Sequence, residues 1–172
     1  DRFKPYYGLT YNELVKALGC EGSKAKSKYF LVANEILTEK GSRGVDVTKS
    51  EEFKKSGIII KTIRLKQSGR SAEAMSFENI NYFDIMNEDD WYESRLYDIF
   101  TGRFLFVVFQ ENEKNETVLK KAFFWTMPVQ DLAIAEGYWE NIRDNVRANT
   151  ISPDSLYKAG AHKKFHVRPK AK

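Results

Sequence analysis

Two hydrophobic periods alternate along this chain, one near 3.6 residues and one near 2, and together they predict helices interleaved with a sheet. Thr10-Tyr11-Asn12-Glu13 has the composition of a capping box, with Leu9 and Leu14 placed for a hydrophobic staple, so a short helix is predicted up to Gly19. A second helix is predicted from a Ser27 cap, with Phe30, Leu31, Ile36 and Leu37 near one face and Gly41 offering its end. From Gly41 to Phe53 the chain is mostly polar and carries a second glycine, Gly44, which predicts a mobile connection. Gly57 to Leu65 is rich in β-branched residues and becomes mixed after Ile60, a pattern that predicts a central strand leaving the core. Arg103 to Gln110 and Val118 to Met127 are two further apolar runs around the polar connector Glu111–Glu116, which suits an antiparallel hairpin in a mixed sheet. Trp91, Leu96, Ile99 and Phe100 suit a helix before that hairpin, and Pro128 opens a longer one with Leu132, Trp139, Ile142 and Val146. A late strand from Lys164 to Val167 completes an α/β pattern without internal repeats.

Composition narrows the class. With 172 residues, 42% hydrophobic and 30% charged, the chain has the size of one domain, or of two small lobes around a cleft. Twelve Phe, nine Tyr and three Trp provide large apolar side chains and exclude a disordered tail. Cys20 is the only cysteine, so no internal disulfide forms, and a reducing, cytoplasmic setting is expected. No apolar run approaches the roughly 18 residues that span a bilayer, and the first residues lack a signal-peptide pattern, so no membrane partner is expected. Asp1 at the start and a motif just before Lys172 read as a single domain, residues 1–172, cut from a longer chain.

The net charge of +4 is modest, and its distribution says more. Basic residues gather at Lys24–Lys28, at Lys61–Lys66 and from Lys163 to Lys172, while Glu88, Asp89, Asp90 and Glu93 form an acidic run. A basic side and an acidic side are expected, the latter repelled by phosphate.

Phe53-Lys54-Lys55-Ser56-Gly57-Ile58-Ile59-Ile60-Lys61-Thr62 resembles the active-site strand of the MutH-like nucleases, a branch of the PD-(D/E)xK fold that includes mismatch-repair nickases and type II restriction enzymes cutting at GATC. Met75-Ser76-Phe77-Glu78, Arg103-Phe104-Leu105-Phe106, Tyr138-Trp139-Glu140 and His166-Val167-Arg168-Pro169-Lys170 follow in the family's order, so the resemblance covers nearly the whole chain. It implies a MutH-like α/β fold, a mixed central sheet flanked by helices in two lobes around a DNA cleft. The similarity is to the C-terminal of two MutH-like halves found in some GATC restriction enzymes. It implies a DNA-binding effector, partnered by an N-terminal catalytic half of the same chain. Mg²⁺ then serves the full enzyme and no cofactor serves this domain.

In such nucleases an acid before the strand, and a second acid two residues ahead of a lysine, hold Mg²⁺ at the scissile phosphate. Residues i and i+2 of a strand share a face, so acid and lysine converge on the metal and the attacking water. The resemblance places the first acid on Glu52, the strand acid on Ile59 and the lysine on Lys61. Isoleucine has no oxygen for a hard cation, so this is a degenerate site with no catalytic or metal-binding set of its own. Lys61 then either contacts phosphate or is a solvated exit residue, and Glu52 reads as a surface acid. A carboxylate relocated to the neighbouring helix, Glu35 or Glu39, would restore a Mg²⁺-dependent endonuclease. His162 and His166 have a spacing some zinc sites use, but no further ligand stands near them in sequence.

Arg168-Pro169-Lys170 resembles the family's DNA-reading loop. A guanidinium can bond guanine O6 and N7 together, a pairing worth about 1–3 kcal/mol of discrimination, and proline stiffens the approach. A frayed basic tail is the other reading. Lys26 aligns with a basic residue that contacts DNA in relatives, and Lys24 and Lys28 could reach phosphate from the mouth of the second helix or form a solvated cluster. Lys66 and Arg70 either follow the backbone or keep a loop soluble. An interaction module that retains the nuclease fold and uses an aromatic-rich surface is the remaining alternative.

Overall fold

The computed structural model describes residues 2–25, 27–38, 45–156 and 165. The chain divides into two compact units. The first comprises Asp1–Ser76 with Arg103–Trp125, and the second Phe77–Gly102 with Thr126–Lys172.

The first unit contains α1 (Tyr11–Leu18), α2 (Lys28–Leu37), α3 (Glu51–Ser56), β1 (Ile58–Leu65), β2 (Arg103–Glu111) and β3 (Thr117–Trp125). The capping box predicted for α1 forms. Thr10 Oγ1 accepts from the Glu13 amide, and Glu13 Oε2 accepts from the Thr10 amide at 2.8 Å. Gly19, at φ 62°, ends the helix in the left-handed conformation that glycine adopts without steric cost.

For α2 the structure corrects the prediction in three ways. Ser27 stands at the cap position but makes no side-chain cap bond. The helix ends at Leu37 with Thr38 as its C-cap, before Gly41. The buried face is Tyr29, Val32, Ala33 and Ile36, whereas Leu31 is exposed. Spacings of i, i+3, i+4 and i+7 describe that face, and Tyr29 to Val32 is apolar throughout, so the phase could slip by one residue. Buried Asn34 ties α2 to the next segment, donating to the Val45 carbonyl at 2.7 Å and accepting from the Val47 amide at 2.8 Å. The polar stretch after it is not simply a loop. It holds a 3-10 turn at Val47–Lys49 and then α3, capped by Ser50. Gly57, at φ 61°, turns the chain directly from α3 into β1.

The sheet is mixed, as predicted, but its order is β1-β2-β3, so β2 and not β1 is central among the described strands. β1 runs parallel to β2, with Ile58 opposite Arg103 and Leu65 opposite Gln110, and β2–β3 is the predicted antiparallel hairpin. Six consecutive residues of β2, Phe104 to Phe109, are buried, while β1 buries only Ile60. A strand covered on both faces reads as a continuous apolar run, and Phe104–Phe109 satisfies that better than three isoleucines do. On one face Ile60, Leu105, Val107, Phe109 and Leu119 join Leu14, Tyr29, Val32, Ala33 and Ile36 in a single core. On the other, Phe104 and Phe106 pack with Trp125 at 5.8 and 5.2 Å between ring centroids, and Phe106 meets Phe123 edge-on at 5.7 Å.

The second unit contains α4 (Tyr82–Met86), α5 (Arg95–Thr101) and α6 (Val129–Arg147). The predicted helix over 91–100 is split: Trp91–Glu93 is a 3-10 turn, and Ser94 caps α5 through the Tyr97 amide. α4 carries no periodic signal long enough to predict. α6 follows Pro128 as expected and buries Ala135, Tyr138, Trp139 and Ile142. The expected strand over 164–167 lies outside the described residues apart from Phe165. Among the described residues no helix is long and apolar enough to cross a membrane.

The α1 cap generates a pH prediction. Donation from the Thr10 amide, then from its hydroxyl, holds the Glu13 carboxyl below its ordinary value of 4.5. The stabilisation is therefore present above that value and is lost as pH falls through the lower, folded-state value. Glu13→Gln should unfold at lower urea than wild type at pH 7, and the two midpoints should converge as pH is taken below 4.5.

Candidate functional site

The candidate site is built on β1 and the two segments that flank it. Ile60 belongs to the core beneath α1 and α2, so alternation turns Ile59, Lys61 and Ile63 to the opposite face of the sheet. Register places Ile59 beside Phe104 and Lys61 beside Phe106, next to the aromatic group with Trp125 and Phe123. The expectation that positions 59 and 61 share a face is therefore met, on the side of the sheet away from α2. Lys61 Nζ donates to the Ser76 carbonyl at 2.6 Å. This contact joins two of the sequence motifs, the strand and Met75-Ser76-Phe77-Glu78. Sequence gave no signal for it, because the acceptor is a backbone oxygen.

Glu52 is exposed in the first turn of α3, one helix before β1. Magnesium requires several oxygen ligands in near-octahedral order. Position 59 offers only hydrocarbon, position 61 an ammonium and position 52 one carboxylate, so this donor set does not fit the ion. Among the described residues no three His, Cys, Asp or Glu side chains gather into a group that could hold a metal. Glu35 lies on α2, whose neighbours Val32, Ala33 and Ile36 pack on the Ile60 face, opposite the face of Lys61. Glu39 lies outside the described residues.

The basic residues divide in a way the sequence did not show. Lys28 Nζ lies 4.8 Å from the Tyr11 ring centroid and 5.0 Å from that of Tyr29, and those two rings meet edge-on at 5.8 Å. The aromatic faces hold the ammonium at the start of α2 by cation–π attraction. Arg64, also directed toward Tyr29, pairs with Glu73 at 3.1 Å. The Glu73 bond raises the Arg64 pKa above its ordinary value. Lys24 is exposed beside this cluster in sequence, and Lys66 and Arg70 form a turn after β1 in which the Lys66 amide donates to the Arg70 carbonyl at 2.8 Å. Arg103 and Lys121, which sequence reasoning passed over, lie 4.1 Å over the Phe124 ring and 4.7 Å over the Phe123 ring. Their signal was there as cation and aromatic residues on paired strands, readable only once register was known. Lys26, Arg168, Pro169 and Lys170, with His162 and His166, lie outside the described residues.

The acidic run needs correction, because part of it is used inside the second unit. Glu88 Oε2 accepts from Trp139 Nε1 at 2.5 Å and Oε1 accepts from the Arg95 amide at 2.9 Å. Arg147 donates to the Met86 and Glu88 carbonyls at 2.9 and 3.0 Å and pairs with Asp89 at 2.8 Å, while Arg143 lies 4.2 Å over the Trp139 ring. Glu88 and Asp89 thus fasten α6 to the segment before α5 rather than forming a bare acidic surface. Glu78, from the second motif, makes a forked pair with Arg95, with bonds of 2.9 and 3.2 Å.

These motifs agree with the comparisons. The family model described as DNA mismatch repair enzyme MutH matches residues 44–136. The chain is also 28% identical over 141 residues to the type II restriction enzyme Sau3AI of Staphylococcus aureus, a match covering 77% of this chain and 28% of that enzyme. The chain therefore spans well under a third of that relative's length. The mixed sheet with its flanking helices is consistent with the MutH-like fold. With more than half its length matched by the family model, the chain belongs to the MutH family.

Proposed function

We propose that this chain is a sequence-specific double-stranded DNA-binding domain, the effector half of a type II restriction endonuclease recognising GATC, and that it does not itself cut. The observation that carries this reading is Ile59 on the face of β1 that bears Lys61, where the family's second metal-holding acid would stand. Family membership and likeness to a restriction enzyme support a DNA-related function on a nuclease fold. Residues 1–172 act in this reading as one MutH-like domain, with two lobes around a cleft that admits duplex DNA. Lys26, Lys28 and Lys61 position phosphates, and Arg168, Pro169 and Lys170 form the loop that reads base edges in the major groove. The partner is an N-terminal catalytic MutH-like half of the same cytoplasmic protein, which supplies the Mg²⁺ chemistry. Binding here biases that half toward its active arrangement through its different affinities for DNA in the two states.

Exposed aromatics favour a second reading, a protein-interaction module. Phe83 is 77% and Tyr92 65% exposed in the second unit. Weak, salt-insensitive DNA binding would support it over the first.

The deciding experiment is an anisotropy titration of the chain against duplexes with and without GATC, at two salt concentrations and without metal, followed by incubation with Mg²⁺. The GATC duplex should bind more tightly, affinity should fall with salt, and neither strand should be nicked. Nicking abolished by Glu35→Gln or Glu52→Gln would establish instead an active nuclease with a relocated acid. Arg168→Ala should cost about 1–3 kcal/mol on the GATC duplex and relax the preference. An unchanged preference would remove Arg168 from the reading loop. Lys26→Ala should weaken both duplexes alike and flatten the dependence of log affinity on log salt by about one unit. An unaltered slope would make Lys26 a bystander.

A further inference from the structure

Phe165 is described where the residues on either side of it are not, and it is held at two points within the second unit. Tyr138 Oη donates to its backbone carbonyl at 2.6 Å. Its ring lies 5.6 Å from the Phe100 centroid and 5.9 Å from that of Tyr138, at interplanar angles of 53° and 56°. Phe100 is held in turn, edge-on, by Phe77 at 5.0 Å. Tyr138 and Phe100 are only 5% and 7% exposed, so both are fixed by their surroundings. α6, which carries Tyr138, is fastened at Trp139 by Glu88 and near its end by the Arg147 bonds to Met86, Glu88 and Asp89.

From these contacts we infer that Tyr138 is a positioning residue for DNA reading. Its hydroxyl, with the Phe100 ring, pins the C-terminal arm at Phe165, and this sets where Arg168 starts. The inference rests on the proposal that Arg168 reads bases. Three residues of extended chain reach about 10 Å at most, so fixing Phe165 confines Arg168 to a small region above α6. An unpinned arm would have to be ordered at the moment of binding, and that ordering cost falls on the specific complex, in which the guanidinium must meet one base geometry. Nonspecific binding, governed by phosphate contacts and counterion release, needs no such fixed start. The anchor should therefore act on discrimination rather than on general grip.

Tyr138→Phe removes one oxygen and keeps the ring, so it separates the anchor from core packing. The measurement is the ratio of affinities for GATC and scrambled duplexes, with the salt slope of each, on the 172-residue chain well below its thermal midpoint, with near-UV circular dichroism confirming the fold. Losing one ordinary hydrogen bond should lower the ratio by about fivefold. Affinity for the scrambled duplex and both slopes should stay as in wild type. Phe165→Ala, which removes the ring contacts, should lower the ratio at least as far. An unchanged ratio in Tyr138→Phe, or equal losses on both duplexes, would overturn the anchor while leaving the DNA-reading proposal standing. If wild type itself did not discriminate, the reading proposal would fail and the anchor with it.

Discussion

The parallel ladder between β1 and β2 fixes which side chains meet at the candidate site. Ile60 sits beside Leu105 in the core under α1 and α2, and strand alternation then turns Ile59 and Lys61 to the other face, beside Phe104 and Phe106. A slip of one residue would exchange the two sets. It would bring the Lys61 ammonium among Tyr29, Val32 and Ile36 and move Ile60 out of the core. Burying an unpaired ammonium costs far more than any side-chain contact at this edge returns, so the register is strongly specified. The apolar character of position 59 is therefore a property of the Lys61 face itself.

That face combines charge with aromatic surface. Lys61 is held on the Ser76 carbonyl, and Lys121 and Phe123 meet at its far edge. On the opposite face, where α2 begins, Lys28 rests on Tyr11 and Tyr29. Aromatic faces hold ammonium groups without neutralising them, whereas the Glu73 carboxylate on Arg64 offsets a full charge. The basic stretch Lys61–Lys66 is thus less positive in effect than its sequence suggests. The acidic run is likewise partly spent, since Glu88 accepts from an indole and from a helix-terminal amide. Formal charge along the chain is therefore a poor guide to which groups remain available to a ligand.

Local signals were legible where the determinant was local. The Thr10–Glu13 box, the stop at Gly19, the hairpin around Glu111–Glu116 and the helix after Pro128 each depend on neighbours within a few residues, and each appears in the structure. The helix phase in α2, the break at Ser94 and the short helices α3 and α4 were not legible. In those places apolar runs or brief polar segments are compatible with more than one phase or state, and packing selects among them. Strand order was misread for a related reason. Three isoleucines in β1 resemble a buried strand, yet the ladder leaves β1 with one described neighbour and gives β2 two.

The sequence alone determined that an isoleucine precedes Lys61 by two positions, that helices bracket a mixed sheet, and that the motifs occur in MutH order. Each of these is fixed by residue identity and spacing along one chain. Tertiary structure decided that Lys61 binds the Ser76 carbonyl, that Glu88 joins Trp139 to the start of α5, and that Tyr138 grips Phe165. These contacts span 15, 51, 7 and 27 residues, and two of them end on backbone carbonyls. A backbone oxygen is the same in every residue, so its choice of partner is set by where the fold places it.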